Sequence, residues 1–232
     1  MSKIKVVDFR QAQDELRISL RQGMLDAASR LLVEEGAAAL TVRKVADAVN
    51  CSTTLLYSIF GGKDGLSNAL YLEGFARFKQ DFAEFQNNLS ASNLSTKNLD
   101  ANQSGLSLSS TATQGIDRLW LYAASYHDYA RRNPSYYMVM FGDAIAGFVP
   151  PLESRTAAWE SFTPLIAEFE QCMQDGSLPA SNPGMAARLL WSAMHGVISL
   201  ELKGYYLKKE HSDELYRAAV RAVLYSLVHP EN

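Results

Sequence analysis

From Leu16 to Glu35 the apolar residues Leu16, Leu20, Met24, Ala27, Ala28, Leu31 and Leu32 recur at helical spacing, which predicts a first helix ended by Gly36. After a link at 37–40, Thr41 supplies an N-cap, and Val42, Val45, Ala46 and Val49 give the next helix an apolar face. Asn50-Cys51-Ser52 makes a turn, because asparagine tolerates left-handed backbone. Ser52 or Thr53 then caps a short helix running to Phe60, with Leu56, Ile59 and Phe60 directed inward. Gly61-Gly62 stops it. Lys63 to about Phe85 reads as a longer helix with Leu66, Leu70, Phe75, Phe78 and Phe82 on one side.

The periodicity fails at both margins of this region. Residues 1–15 predict a flexible arm. Residues 86–114 are dominated by Asn, Ser, Thr and Gln, bury too little to offset their ordering entropy, and predict a mobile loop. Helical pattern returns over 116–132, and Asn133-Pro134 then caps a short helix over 135–141. A Gly/Pro connection through Gly142, Gly147 and Pro150-Pro151 leads to one long helix over 154–175, ended by Asp175-Gly176. Asn182-Pro183 opens another helix over 184–203. Ser212, with Asp213 and Glu214 in its first turn, starts the last, which ends near Val228. No segment alternates like a strand. The expectation is an all-α protein: an N-terminal three-helix helix-turn-helix domain, residues 1–62, followed by a larger helical bundle, residues 63–232.

Composition narrows the class. Of 232 residues, 47% are hydrophobic and 20% charged, enough for a substantial core. No apolar run approaches the roughly 20 residues of a membrane span, and the first residues lack a signal peptide's apolar stretch. A cytoplasmic protein with no membrane partner is expected. Two cysteines, Cys51 and Cys172, make no disulfide framework, and the four histidines show no metal-binding spacing. No nucleophile elbow or phosphate loop appears, so no enzyme, cofactor or metal is expected. The net charge is −3, yet residues 1–67 carry nine Lys/Arg against eight Asp/Glu. DNA binding would therefore rest on placed contacts rather than on a basic patch.

Two short helices joined by a tight turn make the shape that lays a helix in a DNA major groove. Thr53, Thr54 and Ser58 fall on the first turns of the second helix, where hydroxyls can reach base edges or phosphates. Tyr57 offers a phenol to a phosphate oxygen. Lys63 and Arg43 place cations beside free helix-start N–H groups, with Thr41 and Ser52 at the caps. Thr41-Val42-Arg43, Val45-Ala46, Ser52, Leu56-Tyr57, Phe60, Lys63 and Leu66 together resemble the DNA-binding region of the TetR family of transcriptional regulators. Asn50, Ile59 and Gly65 depart from the common pattern.

A second resemblance lies at Trp191-x-x-x-His195-Gly196, with Tyr126–Phe141 upstream, and is similar to the WHG-type C-terminal domain of some TetR-family regulators. Large flat side chains gather in this half, and Trp120, Tyr126, Tyr137, Phe141, Trp159, Phe162, Trp191 and His195 are the candidate ligand contacts. His127 is a further polar candidate. Along 184–203 the face Ala186, Leu189, Leu190, Ala193, Val197 and Leu200 mixes leucine with small residues. Leu215, Ala218, Ala219, Ala222, Val223 and Leu227 do the same along 213–228, as a four-helix dimer interface requires. The resemblance implies a homodimer on a palindromic double-stranded DNA operator, most simply a repressor released by a small apolar or aromatic effector. The alternative is a helical-bundle carrier or enzyme that has lost DNA binding.

Overall fold

A computed structural model describes residues 8–91, 110–142, 144–206 and 208–230. Among the described residues there is no strand and there are ten α-helices. In order these are α1 (Phe9–Glu35), α2 (Val42–Ala48), α3 (Thr53–Phe60), α4 (Lys63–Ala91), α5 (Ser110–Arg132), α6 (Pro134–Phe141), α7 (Leu152–Glu160), α8 (Thr163–Gln174), α9 (Pro183–Leu202) and α10 (Lys209–Val228), with a 3-10 turn at Ala37–Ala39. The chain divides into two compact units. One holds Met1–Gly74 with Pro134–Arg155, the other Phe75–Asn133 with Thr156–Asn232.

Several boundaries differ from expectation. The first helix begins at Phe9 rather than near Leu16, because Asp8 accepts hydrogen bonds from the N–H groups of Arg10 and Gln11 and starts it early. The first seven residues of the expected arm lie outside the described residues. Of the expected loop at 86–114, residues 86–91 belong to α4 and 110–114 to α5; the rest, 92–109, lies outside the described residues. The single helix over 154–175 is two helices. Pro164 has no N–H and its ring clashes with the carbonyl of residue 160, so the chain turns at Ser161-Phe162 before restarting. Ser212 is not a cap. It lies inside α10 and donates to Glu201 at 2.6 Å.

In the first unit Leu25, Leu40, Val45, Leu56, Leu66 and Leu70 are fully buried, each contributing about 1.5–3 kcal/mol relative to exposure. The hydroxyls of Ser29 on α1 and Ser135 on α6 meet at 2.5 Å, and Tyr136 donates to the Asp26 carboxylate at 3.4 Å. Gln22 of α1 donates to Glu73 of α4 at 3.0 Å. Residues remote in sequence thus join α6 to α1, the helix on which α2 packs.

The second unit has an aromatic core. Phe78 meets the edges of Tyr122, Tyr126 and Tyr129 at 6.4, 5.5 and 5.2 Å, and Phe82 lies 4.5 Å from Tyr122. Arg118 of α5 bridges Glu168 of α8 at 2.5 Å and Asp175 at 2.9 Å, beside buried Cys172. Burial pushes that thiol up to about 12, so it stays protonated and inert.

Candidate nucleic-acid interface and effector site

α3 is eight residues long, too short to stand alone, and is held at both ends. Before it, α2 finishes in a Schellman arrangement: Cys51 N–H reaches Ala46 O at 2.9 Å and Asn50 N–H reaches Asp47 O at 3.2 Å. Asn50 occupies the left-handed position with φ 52°. Ser52 Oγ then accepts from Leu55 N–H at 3.2 Å, and Gly61, left-handed at φ 73°, closes the far end onto Tyr57 O. Leu56, fully buried, fixes the roll of the helix. Thr53, Thr54, Tyr57 and Ser58 are therefore turned outward together.

The hydrogen bonds assign these groups different capacities. Ser58 Oγ donates to Leu55 O at 2.7 Å, so its hydroxyl is left as an acceptor. Thr41 Oγ1 accepts from Lys44 N–H at 3.2 Å and, like Ser52, keeps its own proton to donate. Tyr57 is 55% exposed, and its ring runs beside Gly62, where a Cβ would come within 3.3 Å of it; the phenol is thereby steered rather than loose. Arg43 and Lys63 are exposed and have no acidic partner among the described residues. Lys44, not among the expected contacts, pairs with Glu35 and leaves Arg43 as the open cation at the start of α2. Equally unexpected is Arg21 of α1, whose guanidinium lies 5.8 Å over the Phe60 ring at the end of α3. Its helical spacing to Arg17 was the available signal. Cys51 is half-buried and donates to Ser52 O at 3.5 Å.

The ligand candidates separate. Tyr137 and Phe141 pack against one another at a tilt in the first unit, with ring centroids 5.0 Å apart. The other six belong to the second. There, Trp159 lies 5.2 Å from Phe162, Phe162 5.8 Å from Trp191, and Trp191 5.5 Å from His195, a continuous aromatic run from α7 through the turn before α8 to α9. Trp191 Nε1–H donates to Tyr126 OH at 3.0 Å. Tyr126 and Phe162 are buried, whereas Trp159 is 48% exposed under the Arg188 guanidinium at 5.1 Å. Trp120 is half-buried. Burial, with the charge of Lys203, lowers the pKa of His195 and keeps its imidazole neutral. The run offers flat apolar surface, a neutral imidazole and a phenol.

His127 is committed elsewhere. It stacks on Tyr216 at 4.0 Å and lies 3.1 Å from Glu201, which also accepts from Arg131 at 2.7 Å and Ser212 at 2.6 Å. Burial opposes the Glu201 charge, but the donors Ser212, Arg131 and His127 win and hold its pKa below the usual range. Because that carboxylate is ionised, His127 Nε2 carries the proton and donates. Arg131 also bridges Asp213 at 2.5 Å, so the network ties α5 to α9 and α10.

On α9, Met185, Leu189 and Leu200 are exposed, as are Leu215 and Tyr225 on α10. Ala186, Leu190 and Val197, expected on the outer face of α9, are instead buried within the bundle.

Residues 24–70 match the family model described as bacterial regulatory proteins, tetR family, and residues 121–223 match the tetracyclin repressor-like C-terminal domain. Among solved structures, the protein SCO4313 aligns with TM-score 0.66 at 23% identity, covering 91% of this chain and 98% of that one. The regulator FadR from Bacillus subtilis, in complex with stearoyl-CoA, aligns with TM-score 0.61 at 15% identity, covering 91% and 99%. NalD, the secondary repressor of the MexAB-OprM multidrug efflux pump in Pseudomonas aeruginosa, aligns with TM-score 0.58 at 16% identity, covering 94% and 100%. These likenesses concern the fold. No curated protein matches the sequence.

Proposed function

The chain belongs to the TetR family of DNA-binding transcriptional regulators, and from that premise we propose that it is a homodimeric repressor released from a palindromic operator by a small apolar or aromatic molecule. The observation that carries the DNA half is the outward face of α3. It presents Thr53, Thr54, Tyr57 and Ser58 from a helix pinned at both ends, with the open cations Arg43 and Lys63 flanking it. Thr53 and Thr54 read base edges, Ser58 accepts from a base amino group, and Tyr57, Thr41, Ser52, Arg43 and Lys63 hold phosphates. In this reading residues 1–62 carry DNA binding, and residues 63–232 carry effector binding and pairing.

The effector half rests on the Trp159–Phe162–Trp191–His195 run, whose chemistry suits an apolar or aromatic molecule. That the FadR structure is a complex with stearoyl-CoA, and that NalD represses a multidrug efflux pump, supports an apolar class. Pairing uses the exposed apolar residues of α9 and α10, and two recognition helices then address two half-sites on one duplex face. An effector that favours the DNA-incompetent state by about 1–3 kcal/mol changes operator affinity about 5–150-fold. The protein acts by binding, without catalysis.

The test is binding of the protein to the DNA upstream of its own gene. Loss of binding in Tyr57→Ala and Lys63→Ala, with helical content unchanged, supports the reading. Weak binding that neither substitution alters sinks it in favour of a bundle that no longer reads DNA.

A further inference from the structure

The family match begins at residue 24, whereas α1 begins at Phe9, so the front half of that helix lies outside the matched residues. Every residue from Asp8 to Leu20 is exposed. The face of α1 that points into the first unit carries Met24, Leu25, Ala28 and Leu32, all buried. Followed toward the N-terminus at 100° per residue, that same face becomes Arg21, Arg17 and Arg10, with Asp14 between the last two. Arg10 and Arg17 have no acidic partner among the described residues. Arg21 anchors the row: its guanidinium sits over the Phe60 ring, at the end of α3 and three residues before Lys63. The row thus starts beside the recognition helix and leaves the unit along a rigid rod, spanning about 16 Å at 1.5 Å per residue.

We propose that the front half of α1 is a phosphate-tracking arm, in which Arg17 and Arg10 contact the DNA backbone outside the segment read by α3. The inference rests on the DNA-binding reading above and adds a partner surface to it. Sixteen ångströms follows roughly five base pairs of one strand at 3.4 Å each. Cations are few elsewhere in the DNA-binding half: residues 22–67 carry four basic against five acidic residues, and of the four Lys44 is paired with Glu35. Guanidiniums on a helix face contact phosphates without reading sequence, so the arm adds affinity equally on all duplexes. The exposed Phe9, Leu16 and Leu20 lie about 100° around the helix from this row and mark the rival use of the extension, contact with a second copy.

The experiment compares the full chain with Arg10→Ala/Arg17→Ala and with Leu16→Ser/Leu20→Ser, on upstream DNA and on a random duplex, across salt concentrations. Alanine preserves the helix, and circular dichroism checks it. The inference expects the arginine variant to lose about 2 from the slope of log affinity against log salt, with the same proportional weakening on both duplexes. An unchanged slope overturns it. So does a slope changed only through a smaller assembly mass, the outcome in which the leucine variant also dissociates and the extension is a protein interface. If the unaltered protein binds neither duplex, the DNA-binding reading fails first; if it binds and only the arginine variant is silent, the arm alone is wrong.

Discussion

A Cβ on Gly65 would lie 1.7 Å from the carbonyl oxygen of Phe60, so the first turn of α4 packs directly on the last backbone unit of α3. The junction that starts α4 at Lys63 depends on that missing carbon. Gly65→Ala should gain up to about 1 kcal/mol of helix propensity and lose more by displacing backbone, about 1–3 kcal/mol or above. We expect a lower melting temperature and weaker operator binding. A variant as stable as the parent would show that the junction yields without cost.

Asn50 holds positive φ at the turn between α2 and α3. Asn50→Gly should leave stability and DNA affinity near those of the parent. Asn50→Val places a β-branched residue in left-handed backbone and should cost about 1–2 kcal/mol. Denaturant unfolding of the two variants measures the difference, and equal midpoints would contradict the geometry.

His127 titrates below its ordinary value of 6.5, chiefly through burial, with the Arg131 charge adding to it against the pull of Glu201 and Asp213. The folded chain therefore binds its proton later than the unfolded chain as pH falls. The stability that this neutral imidazole supplies is complete above 6.5 and is lost as pH falls from there through the lower folded value. Unfolding in urea at pH 7.5 and pH 5.5 should show the protein weaker at the lower pH. His127→Gln should reduce the difference without abolishing it, because buried His195 contributes with the same sign. An undiminished difference would remove His127 from the account.

Leu189 and Leu215 are 48% and 43% exposed on neighbouring helices. Leu189→Arg with Leu215→Arg should halve the mass in sedimentation and lower operator affinity, while the melting curve of the bundle changes little. A dimer that survives both charges would place pairing on another face.

Legibility in the sequence followed the range of the forces. Thr41, Ser52, Asn50 and Gly61 bond within four residues of themselves, and the caps and turn around α3 were readable from those residue types. The break before α8 was missed because Trp159, Phe162, Ile166 and Phe169 kept helical spacing straight across it, although Pro164 was in view. Ser212 looked like a cap because Asp213 and Glu214 follow it; what turned it inward was Glu201, a partner on another helix. The early start of α1 was hidden for the opposite reason. Phe9 to Glu15 meet no core, so no apolar stripe announced that part of the helix, while Leu16 and Leu20 kept the spacing although both are exposed. For the aromatic candidates, composition identified the side chains, but only packing could divide Tyr137 and Phe141 from Trp159, Phe162 and Trp191.

The hydroxyl pair of Ser29 and Ser135 has a consequence for biosynthesis. The unit bearing the recognition helix draws part of its wall from Pro134–Arg155, so its core stays open until residue 155 has left the ribosome. At about 5–20 residues per second, a nascent chain that has reached Gly74 waits on the order of 4–16 seconds for that segment. During that interval Ser29, Asp26 and Tyr71 lack Ser135, Tyr136 and Phe148, and the motif that looks most self-sufficient in the sequence waits on a segment made after α5.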